Sequence, residues 1–288
     1  MGLELWSQQE YFAAEEYVSR SQLEVFRQSP ELYYGTYIEG DWPQPEPSDA
    51  MEFGSVFHGR YLLGKPLDEL ACTIPANVLS KNGSRAGGNW EEFLAEQTAA
   101  GIVPLKDADW ERLQWMLRSL ERHPQARAIF AGQQLIEAPL TWDHPTTGIP
   151  CRSLLDSVCI NGRCPLIADL KSAASVEVSD FSKRVFDYGY HRQAAFYIEA
   201  AKAVWDEELP FAFVVVQKTP PYTCEVLELD AEYLELGHRE NEEALSALLR
   251  CSETGDWHKP GWSDVKTVPM PYWAGKQKEW QYEPAEER

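Results

Sequence analysis

The residues best suited to chemistry gather in Pro165-Leu-Ile-Ala-Asp-Leu-Lys-Ser172, where Asp169 and Lys171 stand two residues apart on a short apolar run. If that run is a strand, both side chains point to one face. A carboxylate beside an ammonium at the end of a buried strand suits magnesium-dependent hydrolysis of a phosphodiester. The acid holds the metal, while the lysine orients the attacking water or steadies the developing negative charge. Asp-x-Lys alone arises about once by chance in a chain of this length, so its neighbours must support it.

Asp156 lies in Cys151-Arg-Ser-Leu-Leu-Asp-Ser-Val-Cys-Ile160, and Asn161-Gly162 separates this run from the next. Asn-Gly between β-prone segments is a strong hairpin signal, so the two strands should pair antiparallel and bring their acids together. Upstream, Gln133-Gln-Leu-Ile-Glu-Ala-Pro-Leu-Thr-Trp142 alternates well enough for a third strand carrying Glu137. Three carboxylates and a lysine on adjacent strands can cage one or two divalent ions. A second Asp-x-Lys, Ser263-Asp-Val-Lys-Thr267, lacks the preceding apolar run, the paired strand and the upstream acid. It is rejected as a site.

The remaining elements must position these groups. Residues 1 to 18 are acidic and aromatic and fit either a docking arm or part of the fold. Ser19 to Pro30 reads as a short helix capped by Ser19 or Ser21, with Leu23 and Phe26 on one side. A polar, proline-rich link over 41–48 precedes a helix over 51–63 that carries His58 and the small residues Gly54, Ser55 and Gly59. Glycines inside a helix point to close approach of a backbone or a ligand. A histidine on a helix is by itself more often a packed or surface residue than a ligand. Residues 65–89 read as a loop, and helical runs follow around 90–99 and 107–122. After Lys171 come helices over 177–187 and 190–204, broken near Gly189, which set Gln193 and Tyr197 four apart on one helix face. Strands over 211–217 and 224–229 and a helix over 231–250 complete the body, and a Trp- and Pro-rich tail reads as an extended strap.

Composition bounds the function. With 288 residues and 44% apolar content the chain can bury a full core. It has no apolar run near 18 residues, no basic start followed by an apolar stretch, and Trp6 where myristoylation needs Ser or Thr. A cytoplasmic protein, in a bacterium or a phage-infected host, is expected. Six cysteines without a Cys-x-x-Cys pair or a His-rich partner argue against zinc and against an iron–sulfur cluster. Cys159 and Cys164 flank the hairpin turn, but reduced thiols are expected in the cytosol. A net charge of −20 has the wrong sign for holding DNA by general electrostatics. Contact must then come from a local patch, for which Lys171, Lys183, Arg184, His191 and Arg192 are candidates; a solvated helix face is the other reading of these cations.

The order of His58 on a helix, Asp156 on a strand, a hairpin, Asp169-Leu-Lys171, and a helix with Gln193 and Tyr197 resembles the PD-(D/E)xK nucleases of the RecB type. It is more closely similar to the RecE-like (exodeoxyribonuclease VIII) nucleases of phages and prophages. The early Ser19-x-Ser21-x-Leu23, the Gly54-Ser-Val-Phe-His-Gly59 helix, Gly189-Tyr-His-Arg-Gln-Ala-Ala-Phe-Tyr197 and Gln217-Lys-Thr-Pro-Pro-Tyr222 fit the same pattern, which spans about residues 19 to 262.

The resemblance implies an α/β (α+β) fold with a restriction-endonuclease-like core, a central mixed β-sheet flanked by helices. A single domain over 1–288 would divide into a mainly helical part (19–130), a catalytic core (131–250) and the tail (251–288). It further implies that His58, Asp156, Asp169 and the Leu170 carbonyl hold Mg2+, or alternatively Mn2+. Lys171 becomes the water-orienting lysine, Gln193 and Tyr197 contact the DNA end or support the site, and Glu137 matches an acid on the preceding strand. Ser153-Leu-Leu-Asp156 departs from relatives that often place an arginine and a small residue before the acid; only Arg152 is nearby. The implied activity is digestion of linear double-stranded DNA from an end, in the 5′ to 3′ direction, by a homo-oligomeric ring, a tetramer in the family. The implied partner is a single-strand annealing protein of the RecT type. Two other readings are an endonuclease of a restriction or defence system and a non-catalytic acidic protein that mimics DNA or binds its ends.

Overall fold

The computed structural model describes residues 6–44, 47–161 and 165–272. Its helices are α1 (Gln8–Ala13), α2 (Arg20–Gln28), α3 (Pro30–Tyr33), α4 (Asp49–Tyr61), α5 (Leu67–Leu70), α6 (Gly88–Ala100), α7 (Asp107–Arg122), α8 (Pro124–Ala131), α9 (Val178–Asp187), α10 (Tyr190–Trp205) and α11 (Ala231–Thr254). The strands are β1 (Val18–Ser19), β2 (Ala71–Thr73), β3 (Val103–Leu105), β4 (Leu135–Asp143), β5 (Pro150–Cys159), β6 (Leu166–Ala173), β7 (Phe211–Gln217) and β8 (Cys224–Glu228).

Local chemistry starts the helices that matter for the site. Ser19 caps α2: its hydroxyl accepts from the Gln22 N–H at 3.3 Å, and the Gln22 side chain returns to the Ser19 N–H at 2.7 Å. Ser48 caps α4, and Asp230 caps α11 by accepting from the Tyr233 N–H at 2.9 Å. The end of α11 lies at Thr254, beyond the expected 250, where Gly255 turns the chain at φ +70°.

Among the described residues the main sheet has six strands in the order β1-β5-β6-β7-β8, with β4 on the other edge of β5. β6 and β7 run parallel, and β4–β5, β5–β6 and β7–β8 are antiparallel, so the sheet is mixed. Parallel β7 is buried along Phe211–Val216, which explains its unbroken apolar run. Phe211, Phe213 and Val215 join one core with Leu23 of α2, Phe181 of α9, Phe196 of α10 and Leu245 of α11. Val214 and Val216 join the opposite core with Phe57 of α4, Leu113 and Leu120 of α7 and Phe130 of α8. The result is three layers, helices over both faces of one sheet.

The structure decides one open reading and departs from expectation elsewhere. The undecided N-terminal stretch contains α1 and β1, whose Val18 pairs with Cys151, so it is part of the fold. Residues 65–89, read as a loop, hold α5 and β2, and β2 pairs in parallel with β3. Strands of three residues are too short to display a period. Of the two α4 glycines, Gly59 allows close approach, because a Cβ there would come within 2.9 Å of Leu70 Cδ2, whereas Gly54 faces open space. The strap begins by docking: Trp257 is buried and stacks on Tyr34 with ring centroids 4.9 Å apart. Trp262 is exposed, and Trp273 and Trp280 lie outside the described residues. Cys159 is a free thiol, and Cys164 and Gly162 also lie outside.

The crossing of α10 and α11 depends on Gly237, where a Cβ would sit 2.3 Å from the His191 carbonyl oxygen. Backbone cannot yield as a side-chain tip does, so Gly237→Ala should lower stability by about 2 kcal/mol. A denaturant titration followed by circular dichroism measures this; an unchanged midpoint would mean that the helices cross elsewhere.

Candidate active site

The site forms where two strands separate. β4 occupies one edge of β5 from Pro150 to Val158, so β6 and β1 must share the other. β6 pairs with β5 only from Ser157 to Cys159, and β1 only at Cys151 and Arg152. Between them β5 is open from Ser153 to Asp156. Continuing the β5–β6 register would oppose Asp156 to Asp169, but the ladder stops one pair short, at Ser157 and Ala168.

Side chains replace the missing ladder. The Leu170 N–H donates to Asp156 Oδ2 at 2.9 Å, and the Leu170 carbonyl lies 2.7 Å from His58 Nε2, which must be the donor because a carbonyl only accepts. His58 Nδ1 stands 3.6 Å from the same Asp156 oxygen. The expected helix residue, strand acid and backbone carbonyl therefore meet around one peptide group.

Asp169 and Lys171 share a face of β6, as their spacing predicts. Asp169 is 1% exposed, and its Oδ1 accepts from Gln193 Nε2 at 2.8 Å. Its Oδ2 is ion-paired with Lys171 Nζ at 2.6 Å. Burial pushes the Asp169 carboxyl up to about 6, Lys171 opposes the shift, and the Asp156 charge adds to it. Burial works to lower the Lys171 pKa, but Asp169 and Asp156 together outweigh it and hold the ammonium above its ordinary value.

A divalent ion fits this donor set. One imidazole, two carboxylates and a carbonyl oxygen suit Mn2+ or Mg2+. His58, Asp156 and Asp169 are nevertheless spread more widely than a closed ligand set: the one histidine and acid trio among the described residues with all ligand atoms within 4.8 Å of one another is His144, Glu199 and Glu242. Glu137 takes the register position across from Asp156, between the pairs Ile136–Ser157 and Ala138–Leu155. Its φ of +45° is rare for a residue with a side chain and marks a local distortion of β4 beside the site.

Gln193 and Tyr197 reach the site from one face of α10 and line a cavity of about 140 Å³ with Ser19, Ser21, Arg152 and Ser153. The cavity therefore opens along the unpaired part of β5. Burial, with the Asp169 and Asp156 charges behind it, drives the Tyr197 hydroxyl pKa upward, so it stays a neutral donor. Sequence reasoning missed Tyr190, whose ring centroid lies 5.2 Å from Lys171 Nζ. Its spacing of three and seven residues from Gln193 and Tyr197 was the signal that could have found it.

The expected basic patch is corrected. Arg192 is bound to Glu24 through Nε at 2.7 Å and Nη2 at 2.9 Å, and to Glu240 through Nη1 at 2.8 Å. His191 is fully buried, with Nδ1 3.0 Å from the Val185 carbonyl and Nε2 3.1 Å from Glu240. Arg192, a candidate for DNA contact, thus ties α2, α10 and α11 together. Arg152 is likewise engaged, donating to the Tyr11 carbonyl. Of the patch, Lys183 on α9 is exposed, with its Nζ 3.7 Å from Asp180 Oδ1, and Arg184 is half-buried. Asp264 and Lys266 of the rejected motif lie in exposed irregular chain.

Residues 19–263 match the model of the "PDDEXK-like domain of unknown function (DUF3799)". The chain belongs to this PDDEXK-like family. No curated protein matches it. It is similar to the crystal structure of a "Putative exonuclease" from Eubacterium rectale, with 17% identity over 96% of this chain and 99% of that one, at a TM-score of 0.62. That likeness shows the fold. An alkaline exonuclease from Laribacter hongkongensis aligns over 70% of this chain and 97% of its own at 17% identity, but with a TM-score of 0.26.

The raised Asp169 carboxyl of this PDDEXK-like site yields a pH test. In the metal-free protein its buried charge costs stability above pH about 6, and that cost is relieved as pH falls toward the unfolded value of about 3.9. Protons must then compete with a metal for this group. Thermal unfolding should show a larger stabilisation by Mn2+ well above pH 6 than well below it, and Asp169→Asn should reduce the difference. Equal stabilisation at both pH values would place the ion elsewhere.

Proposed function

We propose that the protein is a divalent-metal-dependent exodeoxyribonuclease that digests linear double-stranded DNA from an end, 5′ to 3′, leaving 3′ single-stranded tails for recombination by strand annealing. The observation that carries this reading is the cluster at the strand fork: Asp156 and His58 on the Leu170 peptide, with Asp169 and Lys171 beside it. Membership of the PDDEXK-like family supports the same chemistry.

His58, Asp156, Asp169 and the Leu170 carbonyl would hold Mg2+ or Mn2+, which when bound polarises the scissile phosphate and activates water. Lys171 keeps its proton, orients the attacking oxygen and offsets the negative charge that grows on the phosphate oxygens as the bond to the leaving oxygen breaks. Gln193 holds one Asp169 oxygen so that the other stays turned toward Lys171. Tyr197 offers a neutral donor in the cavity beside it.

The net charge of −20 makes sequence-wide attraction to DNA unfavourable. Lys183 and Arg184 serve as the local phosphate contacts, and a tetrameric ring around the duplex replaces attraction with topology. A single-strand annealing protein of the RecT type receives the tail. The acidic surface favours a partner with a basic face.

The test incubates the protein with linear, nicked-circular and closed-circular duplex, with magnesium or with EDTA. Magnesium-dependent loss of the linear form alone is expected, reduced by at least about a thousandfold in Asp169→Ala and Lys171→Ala. Cutting of closed circles would move the assignment to an endonuclease, and inertness on all three to a DNA mimic. Lys183→Ala should weaken DNA binding alike for all sequences and reduce the slope of log affinity against log salt by about 0.9. An unchanged slope removes Lys183 from the interface.

A further inference from the structure

A second group of ligand atoms lies at the other end of the β4–β5 pair. His144 follows β4 in the turn to β5, and its side chain is fully buried. Its Nε2 has no hydrogen-bond partner and points between two acids, 3.2 Å from Glu242 Oε1 of α11 and 3.8 Å from Glu199 Oε1 of α10. The ligand atoms of all three residues lie within 4.8 Å of one another.

The surroundings are those of a supported ligand set. The Trp142 indole donates to Glu199 Oε1 at 3.0 Å, and the Thr146 hydroxyl donates to Glu242 Oε1 at 3.2 Å. His144 Nδ1 accepts from the Thr147 backbone N–H at 3.3 Å and lies 2.9 Å from the Thr147 hydroxyl. Nδ1 therefore carries no proton in this arrangement and the Nε2 proton faces the two carboxylates; an ion bound there takes that proton's place, and Nδ1 becomes the protonated nitrogen that donates to the Thr147 hydroxyl. His238 stands at the rim, its Nδ1 3.6 Å from Glu199 Oε2. The ion pairs of Glu199 and Glu242 go to histidines, and among the described residues no lysine or arginine lies within 4.0 Å of either carboxylate.

We propose that His144, Glu199 and Glu242, with His238 as a fourth donor, bind a divalent transition-metal cation of the zinc class, separate from the ion at the strand fork. One or two imidazoles with two carboxylates favour zinc over magnesium, which prefers oxygen and keeps its water. The bound ion offsets both carboxylates and gives the buried nitrogen a partner. It also joins three elements, the β4–β5 turn, α10 and α11, and is therefore structural.

The test uses the full chain carrying Asp156→Asn and Asp169→Asn, so that zinc at the fork does not contribute. The protein is equilibrated with zinc chloride, dialysed against metal-free buffer and assayed for metal by mass spectrometry, with thermal unfolding in parallel. One retained equivalent and an upward shift of the unfolding midpoint are expected, both lost on adding His144→Ala. Because His144 is buried and its removal can unfold the turn, Glu242→Gln provides the second arm: it keeps an oxygen for Thr146, removes the charge and should also lose the equivalent. Failure to retain zinc, or retention that survives either substitution, overturns the proposal and leaves a histidine–carboxylate ion cluster. Neither result bears on cleavage at the fork.

Discussion

The structure depends on a break in a hydrogen-bond ladder. Where β5 leaves β6, the Leu170 N–H and carbonyl lose the strand that would have paired with them, and an unpaired buried peptide group costs about 1–3 kcal/mol. Asp156 and His58 meet that need from different elements. The contacts that satisfy the backbone thus also converge the groups that suit a metal. β7 makes the break tolerable, because it pairs with β6 without interruption from Ile167 to Ala173 and holds the strand in place from its far edge.

The two faces of the sheet divide the work. Asp169 and Lys171 point to the side of Ile167, under α10, where Gln193 receives them. His58 comes from α4, whose Phe57 belongs to the opposite core, and reaches the strand at its edge. α10 in turn is anchored away from the site: Arg192 binds acids on α2 and α11, and Gly237 lets α11 approach its backbone. Such internal bridges pair each cation with an acid, so the net charge of −20 still falls on the rest of the chain.

Much of this was legible in the sequence because it rests on short-range signals. The Asp169–Lys171 pair follows from a period of two, β7 from a β-branched apolar run, and the Gln193–Tyr197 face from a spacing of four. The start of α2 was readable as two candidate serines, and hydrogen bonding selects Ser19. Apart from Tyr190 and the last turn of α11, the misses are non-local. β1 exists only by pairing with Cys151, far along the chain, and β2 only by pairing with β3. The basic patch dispersed because neighbours in sequence such as His191 and Arg192 face buried acids on other helices, which composition cannot reveal. Where β5 and β6 would separate was equally invisible, since nothing in Ser153-Leu-Leu-Asp156 announces the end of a ladder.

The parity of β6 also limits how this protein can drift over generations. An inserted or deleted codon between Ile167 and Asp169 would swing the acid and the amine to the side of Leu170, among Phe57, Val214 and Leu113, and bring leucine under α10 beside Gln193. Change along this strand must therefore come by replacement, and gain or loss of length is confined to irregular stretches such as the exposed chain after Thr254.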